Sequence, residues 1–261
     1  MKNIGYGLLF MLVVLLSGAG FIYYTEGAEA FSTELYELKE NHSIDGHDIK
    51  NIEITSGPTD IAVIPHSEDV VTIELNGEVS EKMRDAYELD ILEKGEILQV
   101  KLTRVKHPSF TVFAINKGTL LTVKVPAKMY EELEVATSSG DISTTNLSTK
   151  NLFLTATSGD IVTDNLKVTS DFLIETTSGD IVSSNSNGGN MELNATSGDV
   201  TLSMDIDSYK LEFSGKPGEG KVETSGFQYE HSTESFILGK KGNGSGTSIK
   251  VETTSGDFYL N

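Results

Sequence analysis

The tripeptide Ser-Gly-Asp occurs five times, starting at Ser139, Ser158, Ser178, Ser197 and Ser255, and the first four copies are 19, 20 and 19 residues apart. A recurring period of this length marks a chain made of stacked units that cannot bury their apolar faces alone. The flanking residues say what each unit is. Six before each Ser stand Leu133, Leu152, Phe172, Met191 and Ile249; four before stand Val135, Leu154, Ile174, Leu193 and Val251. Two before stand Thr137, Ala156, Thr176, Ala195 and Thr253, and three after stand Ile142, Ile161, Ile181, Val200 and Phe258. Within each segment the apolar period is two, the signature of a strand with one buried face. The last gap, 58 residues, is close to three further periods, with Ser214-Gly215 and Ser225-Gly226 reading as degenerate copies.

The tripeptide reads as a corner. Gly140, Gly159, Gly179, Gly198 and Gly256 are expected to supply a positive φ that other residues resist. Ser and Asp side chains are expected to satisfy nearby backbone N–H groups. A second corner falls seven residues after the Ser, at Asn146, Asn165 and Asn185, Asn being the non-glycine residue most tolerant of the left-handed region. Two short strands and two corners per period, stacked at about 4.8 Å through parallel ladders, make a parallel β-solenoid with 19–20 residues per repeat. The fold class expected is therefore all-β.

Weaker rungs precede the regular ones. Ile52 to Gly57 followed by Asp60 to Pro65 has the same strand, turn, strand logic, and Val70 to Leu75, Leu89 to Leu92, Ile97 to Leu102 and Leu120 to Val125 are strand-like. Ser80 to Ala86 and Arg104 to Gly118 read as insertions, the second carrying Phe110 and Phe113 beside Lys106 and Lys117, expected to cover the side of the solenoid. About ten rungs, a rod about 50 Å long, are expected from Ile52 onward.

The succession IEITSGPTDIAVIP, then LLTVKVPAKMYEELEVATSSGDI, then repeated ATSGDI and TTSGDI, resembles the bacterial putative-adhesin β-repeat family of unknown function, over residues 52–261. With a single anchor ahead of that domain, the chain looks like the LiaG-type membrane-anchored proteins of Firmicutes. The resemblance implies an extracytoplasmic β-solenoid of the cell envelope, acting as an interaction or accessory protein in envelope-stress response. It implies no catalytic residues. An adhesin-like module binding a wall or surface polymer is the alternative.

The anchor is residues 4–24, a run of 21 without a charge. As a helix it spans about 30 Å, the thickness of the hydrocarbon core. Lys2 before it and Glu26 and Glu29 after it put the amino terminus inside and the rest of the chain outside the cell membrane. A cleaved signal peptide is the competing reading, with small residues at Ser17-Gly18-Ala19 and Ala28-Glu29-Ala30. The domains expected are residues 1–26, a transmembrane anchor; 27–50, a juxtamembrane linker with a short helix around Thr33 to Lys39; and 51–261, the solenoid.

Charge bounds the partners. With 39 acidic and 20 basic residues the net charge is −19, and no basic stripe is available for phosphate backbones, so nucleic acid is not an expected partner. The expected partners are the membrane, through residues 4–24, and an envelope protein or wall polymer, with end-to-end self-association through an uncapped final rung around Phe258. Without cysteine there is no disulfide, thiolate metal site or lipidated N-terminal Cys.

Chemistry, if present, would centre on the Asp column: Asp141, Asp160, Asp180, Asp199 and Asp257. Stacked carboxylates could hold calcium, but turn capping accounts for the same placement, and the Gly-Gly-x-Gly-x-Asp calcium nonapeptides are missing. A β-helical polysaccharide hydrolase would set two acids apart with different environments. Here the acids are the repeat itself, and the one pair off it, Asp205 and Asp207, has no basic or His companion. His42 and His47, beside Asp45 and Asp48, offer a weak metal pattern. No enzyme, no cofactor and no metal is the expectation.

Overall fold

The computed structural model describes residues 34–80, 83, 85–105 and 116–261. The anchor, Phe110 and Phe113 lie outside the described residues. Among the described residues no helix is long and apolar enough to cross a membrane. The first seven strands are β1 (Leu35–Asp45), β2 (Asn51–Ser56), β3 (Asp60–His66), β4 (Val70–Ser80), β5 (Tyr87–Lys94), β6 (Ile97–Arg104) and β7 (Asn116–Pro126). The regular rungs follow: β8 (Met129–Thr137), β9 (Ile142–Thr145), β10 (Ser148–Ser158), β11 (Ile161–Asp164), β12 (Lys167–Val168), β13 (Asp171–Ser178), β14 (Ile181–Ser184), β15 (Asn190–Ser197) and β16 (Val200–Ser203). The last are β17 (Tyr209–Gly215), β18 (Gly220–Val222), β19 (Phe227–Thr233), β20 (Phe236–Lys241), β21 (Thr247–Ser255) and β22 (Phe258–Leu260).

Two facing sheets, of ten and twelve strands, enclose one core. Each Ser-Gly-Asp corner carries the chain from a strand of the larger sheet into a short strand of the smaller one, as from β10 to β11. The rungs stack in parallel with no slip: Leu152 pairs with Leu133 and Phe172, and Ile161 with Ile142 and Ile181. The predicted inward columns are buried throughout, from Leu133 to Ile249 and from Ile142 to Phe258. Burying each such Leu, Ile or Phe contributes about 1.5–3 kcal/mol, and no single rung has enough of them to stand alone. Ten strands at about 4.8 Å give the smaller sheet a length near 43 Å, somewhat short of the expected rod.

Sequence order and stacking order part company at both ends. β2 lies between β6 and β8, and β3 between β7 and β9, so the chain builds its second rung before the outer one. At the other end β21 sits between β15 and β17, and β22 between β16 and β18. The Ser255 copy therefore stacks directly on the Ser197 copy, residue against residue, and the 58-residue gap holds no three interior periods. The intervening β17 to β20 form an end cap instead, with Phe213 stacked on Phe258 at 5.1 Å. The final rung is thus covered, contrary to the expectation of an open end at Phe258.

The ladder is also not parallel throughout. β1–β4, β4–β7, β5–β6, β17–β20 and β19–β20 are antiparallel, which lets short connections close each end. Residues 35–45, expected as linker with a short helix, form β1 and pair with β4 along all eleven residues. The alternation signal fails there because β1 is an edge strand. Of its residues only Leu38 is buried, while Glu40 and His42 stand opposite Leu75 and Ile73 and pair with each other at 3.5 Å. Charged residues turned toward the core side of an edge discourage further strand addition.

Candidate functional site

The Ser-Gly-Asp edge is where any chemistry of the repeat would have to sit. Its glycines are required, for a different reason from the one expected. Gly140, Gly159, Gly179 and Gly256 are not among the positive-φ residues. What excludes a side chain is the neighbouring rung. A Cβ at Gly159, Gly179, Gly198 or Gly256 would stand 1.9–2.1 Å from the carbonyl oxygen of the glycine one rung below, and at Gly140 it would stand 2.1 Å from that of Thr59. Gly218 continues the column against Gly256 at 2.1 Å, so the degenerate copy at this corner is Gly218, not Gly215.

The Asp column is a hydrogen-bonded ladder. Asp60 Oδ1 accepts from the Asp141 N–H at 2.9 Å, Asp141 from Asp160 at 2.8 Å, and Asp160 from Asp180 at 2.8 Å. Asp180 accepts from Asp199 at 2.8 Å, Asp199 from Asp257 at 2.7 Å, and Asp257 from the Glu219 N–H at 2.9 Å. Each carboxylate thus caps the amide of the next rung rather than its own turn, in a charge-assisted bond. Asp60 heads the column although it follows Ser-Gly-Pro-Thr, and only the register reveals it.

The Asn corner is as expected: Asn146, Asn165 and Asn185 have φ of 56°, 53° and 51°. Asn165 Nδ2 donates to Asn146 Oδ1 at 2.6 Å, and Asn185 Nδ2 to Asp164 Oδ1 at 3.0 Å. Buried threonines serve the first corner. Thr137 Oγ1 donates to Gly57 O at 2.8 Å while accepting from Gly140 N at 3.2 Å, and Thr253 Oγ1 donates to Gly256 O at 2.8 Å.

The remaining candidates do not converge. Asp205 and Asp207 lie on the connection from β16 to β17. His47 is held by its backbone N–H to Asp45 Oδ1 at 3.0 Å, and Lys128 Nζ, lying 5.4 Å from the Tyr130 ring centroid, donates to Gly46 O and His47 O at 2.6 and 3.0 Å. Burial pushes the Lys128 ammonium down from its ordinary pKa. Among the described residues no three His, Asp or Glu side chains come together as a metal-holding group. A shallow groove of about 450 Å³ over β5, β6 and β2 is lined by Glu53, Asp90, Leu92, Gln99 and Lys101, with Gln99 Nε2 donating to Glu53 at 2.6 Å.

The outward columns carry a contrast that the repeat alone does not announce. On the larger sheet, reading from β2 to β21, they run Glu53, Glu134, Phe153, Leu173, Glu192, Lys250 and Thr55, Ala136, Thr155, Glu175, Asn194, Glu252. On the smaller sheet they run Ala62, Ser143, Val162, Val182, Thr201, Tyr259 and Thr145, Asp164, Ser184, Ser203. The first set has five glutamates and a lysine; the second has one charge, Asp164, with the Asp column along its border and Lys221 beside Tyr259 at its end. The residues between the buried positions held this signal in the sequence.

The Toastrack DUF4097 family model matches residues 49–187 and 168–261. No curated protein matches the chain. Among solved structures, a putative cell adhesion protein from Clostridium sporogenes is 14% identical, with 87% of this chain and 99% of that one covered at a TM-score of 0.50. A putative adhesin from Bacteroides fragilis is 11% identical, covering 88% and 98% at 0.45, and a putative lipid binding protein from Parabacteroides distasonis is 11% identical, covering 85% and 96% at 0.39. At 14% identity the likeness to the Clostridium sporogenes protein is one of fold.

Proposed function

This chain belongs to the Toastrack DUF4097 family, and on that premise we propose that it is a non-enzymatic interaction module of the bacterial envelope, held at the outer face of the cell membrane by residues 4–24. One observation carries the reading. The residues that look most like chemistry, the Asp column, spend one carboxylate oxygen each on the backbone of the next rung. They hold the rod together, and recognition is left to its outward faces. The accessory role in envelope-stress response and the likeness to LiaG-type proteins rest on the sequence resemblance and on the charge-free run of residues 4–24.

Single cysteines carrying a photocrosslinker, placed on either sheet of the full chain in intact cells, test this. Because the chain has no native cysteine, each variant carries the crosslinker at one known position. Reproducible adducts from outward positions, absent from buried ones, are expected. Equal labelling of every position, or a chain recovered in the cytosolic fraction, would overturn it. The alternative, an adhesin-like module for a wall or surface polymer, is favoured by the strip of mostly uncharged side chains on the smaller sheet.

A further inference from the structure

We propose that the outer face of the smaller sheet is a docking strip for a neutral polysaccharide strand, lying across the rungs from Ala62 to Tyr259; this rests on the polymer-binding form of the reading above. The first ground is charge. On a chain of net charge −19, the strip has one ionised side chain in ten outward positions, Asp164, and that carboxylate already accepts from Asn185 at 3.0 Å. The Asp column, Asp141, Asp160, Asp180, Asp199 and Asp257, runs along one border of the strip, so a polyanion is repelled there and by the rest of the rod, whereas an uncharged polymer has no net charge to be repelled.

The second ground is surface chemistry. Ser143, Thr145, Thr201, Ser184 and Ser203 present hydroxyls that donate and accept, and Val162 and Val182 present flat β-branched surface between them, Val162 being 41% exposed. Sugar rings offer the same pairing of hydroxyl rim and apolar face. At one end Tyr259 is 38% exposed and its hydroxyl donates to Asp257 Oδ2 at 3.2 Å, which fixes the ring as a platform. Aromatic rings held by their polar tip combine an apolar body with a wet edge.

The third ground is size. The short strands, four residues in β9, β11, β14 and β16, are about 13 Å wide, and the six stacked rungs span about 24 Å. The strip is then about 300 Å², well under the ~800 Å² per partner of a stable protein interface. A second copy of the chain or a globular partner is poorly served by it, while a single polymer strand is narrow enough to lie within it.

The test is co-sedimentation of the full chain, in detergent micelles, with insoluble chitin and cellulose as neutral probes, together with affinity electrophoresis in polygalacturonate as the anionic one. Retention by a neutral probe and none by polygalacturonate is expected. V162E/V182E should lower the retained fraction at least tenfold, and Y259A several-fold, with Y259F, which keeps the ring but loses its tether to Asp257, in between. F153E/L173E, on the opposite sheet, should change nothing. Unaltered melting of V162E/V182E shows that the loss is not unfolding; if it does misfold, T201E serves in its place. Equal retention of wild type and V162E/V182E, preference for polygalacturonate, or a dimer dissolved by V162E would each overturn the proposal. If no neutral probe is retained while a crosslinker at position 162 still captures a protein in cells, the interaction-module reading stands and the polysaccharide strip falls.

Discussion

Replacing Gly179 by Ala asks the rod to accept one methyl group where it has no room. The added Cβ would lie 2.1 Å from Gly159 O and 2.5 Å from Gly159 C. Since such contacts are not met below 3.0 Å, the two rungs must part by at least 0.9 Å at this corner. Among the hydrogen bonds that cross that seam are three with a backbone N–H donor: Gly159 N to Ser178 O at 3.1 Å, Asp180 N to Asp160 Oδ1 at 2.8 Å, and Ile161 N to Asp180 O at 2.9 Å. Stretched by that amount, all three pass the usual limit near 3.2 Å. At about 1 kcal/mol for each neutral bond and about 2 for the one to a carboxylate, the loss is about 3–5 kcal/mol. For a domain of this size that lowers Tm by about 10 °C. The control is Gly57→Ala, in the related Ser-Gly-Pro turn, where an added Cβ meets nothing within 4 Å. Thermal unfolding by circular dichroism should show Gly57→Ala unchanged or slightly stabilised. If Gly179→Ala melts with wild type, or both variants fall together, the close approach of rungs is not what holds glycine in the column.

The Asp ladder predicts that Asp180→Asn, which keeps an acceptor for the Asp199 N–H, melts near wild type, while Asp180→Ala orphans that amide and costs about 2 kcal/mol by urea denaturation. At the second corner, Asn165→Gly should be tolerated, but Asn165→Ala should cost about 1–2 kcal/mol, because a φ of 53° strains a Cβ-bearing residue without a side-chain bond to Asn146. Burial pushes the Tyr130 phenol above its ordinary pKa of 10.0, and its hydroxyl donates to Pro126 O at 3.0 Å. The native state thus favours the protonated form, so stability holds below pH 10 and falls as pH rises past that unfolded-state value. Tyr130→Phe should flatten this alkaline loss in a pH series of unfolding midpoints.

The regular part of the fold was legible because the core of a solenoid is written locally. Leu133, Val135 and Ile142 recur in each period, and parallel stacking places identical offsets on one another without long-range information. Asn146, Asn165 and Asn185 were legible because their φ follows from residue chemistry. The reason for the glycines was not, since a steric contact with Gly140 or Gly159 one rung below belongs to the stack and not to the turn. The order of rungs at the ends was hidden for a similar cause. Nothing local to Ser255 tells whether its ladder partner is Ser197 or the strand just before it in the chain. β1 escaped notice because solvent on most of its surface removes the alternation that identifies a strand. The sparsely charged strip could have been read from the residues beside Ile142, Ile161 and Ile181, but only once both faces of each rung had been assigned.

The displaced rungs at either end govern how a protein of this design can change length. The rung of β2 and β3 is pinned between two others, as is that of β21 and β22, and beyond them the sheets end in the antiparallel strands β1, β5 and β19 and in the three-residue β18. A repeat appended after β22 or ahead of β2 would find the rung next to it in sequence already paired on both sides. A unit of 19 or 20 residues spliced between β14 and β15 would instead lift one half of the rod by a single rung and leave both caps intact. Growth by duplication is thereby confined to the interior, and members of such a lineage would differ in the number of central repeats while keeping the same two ends.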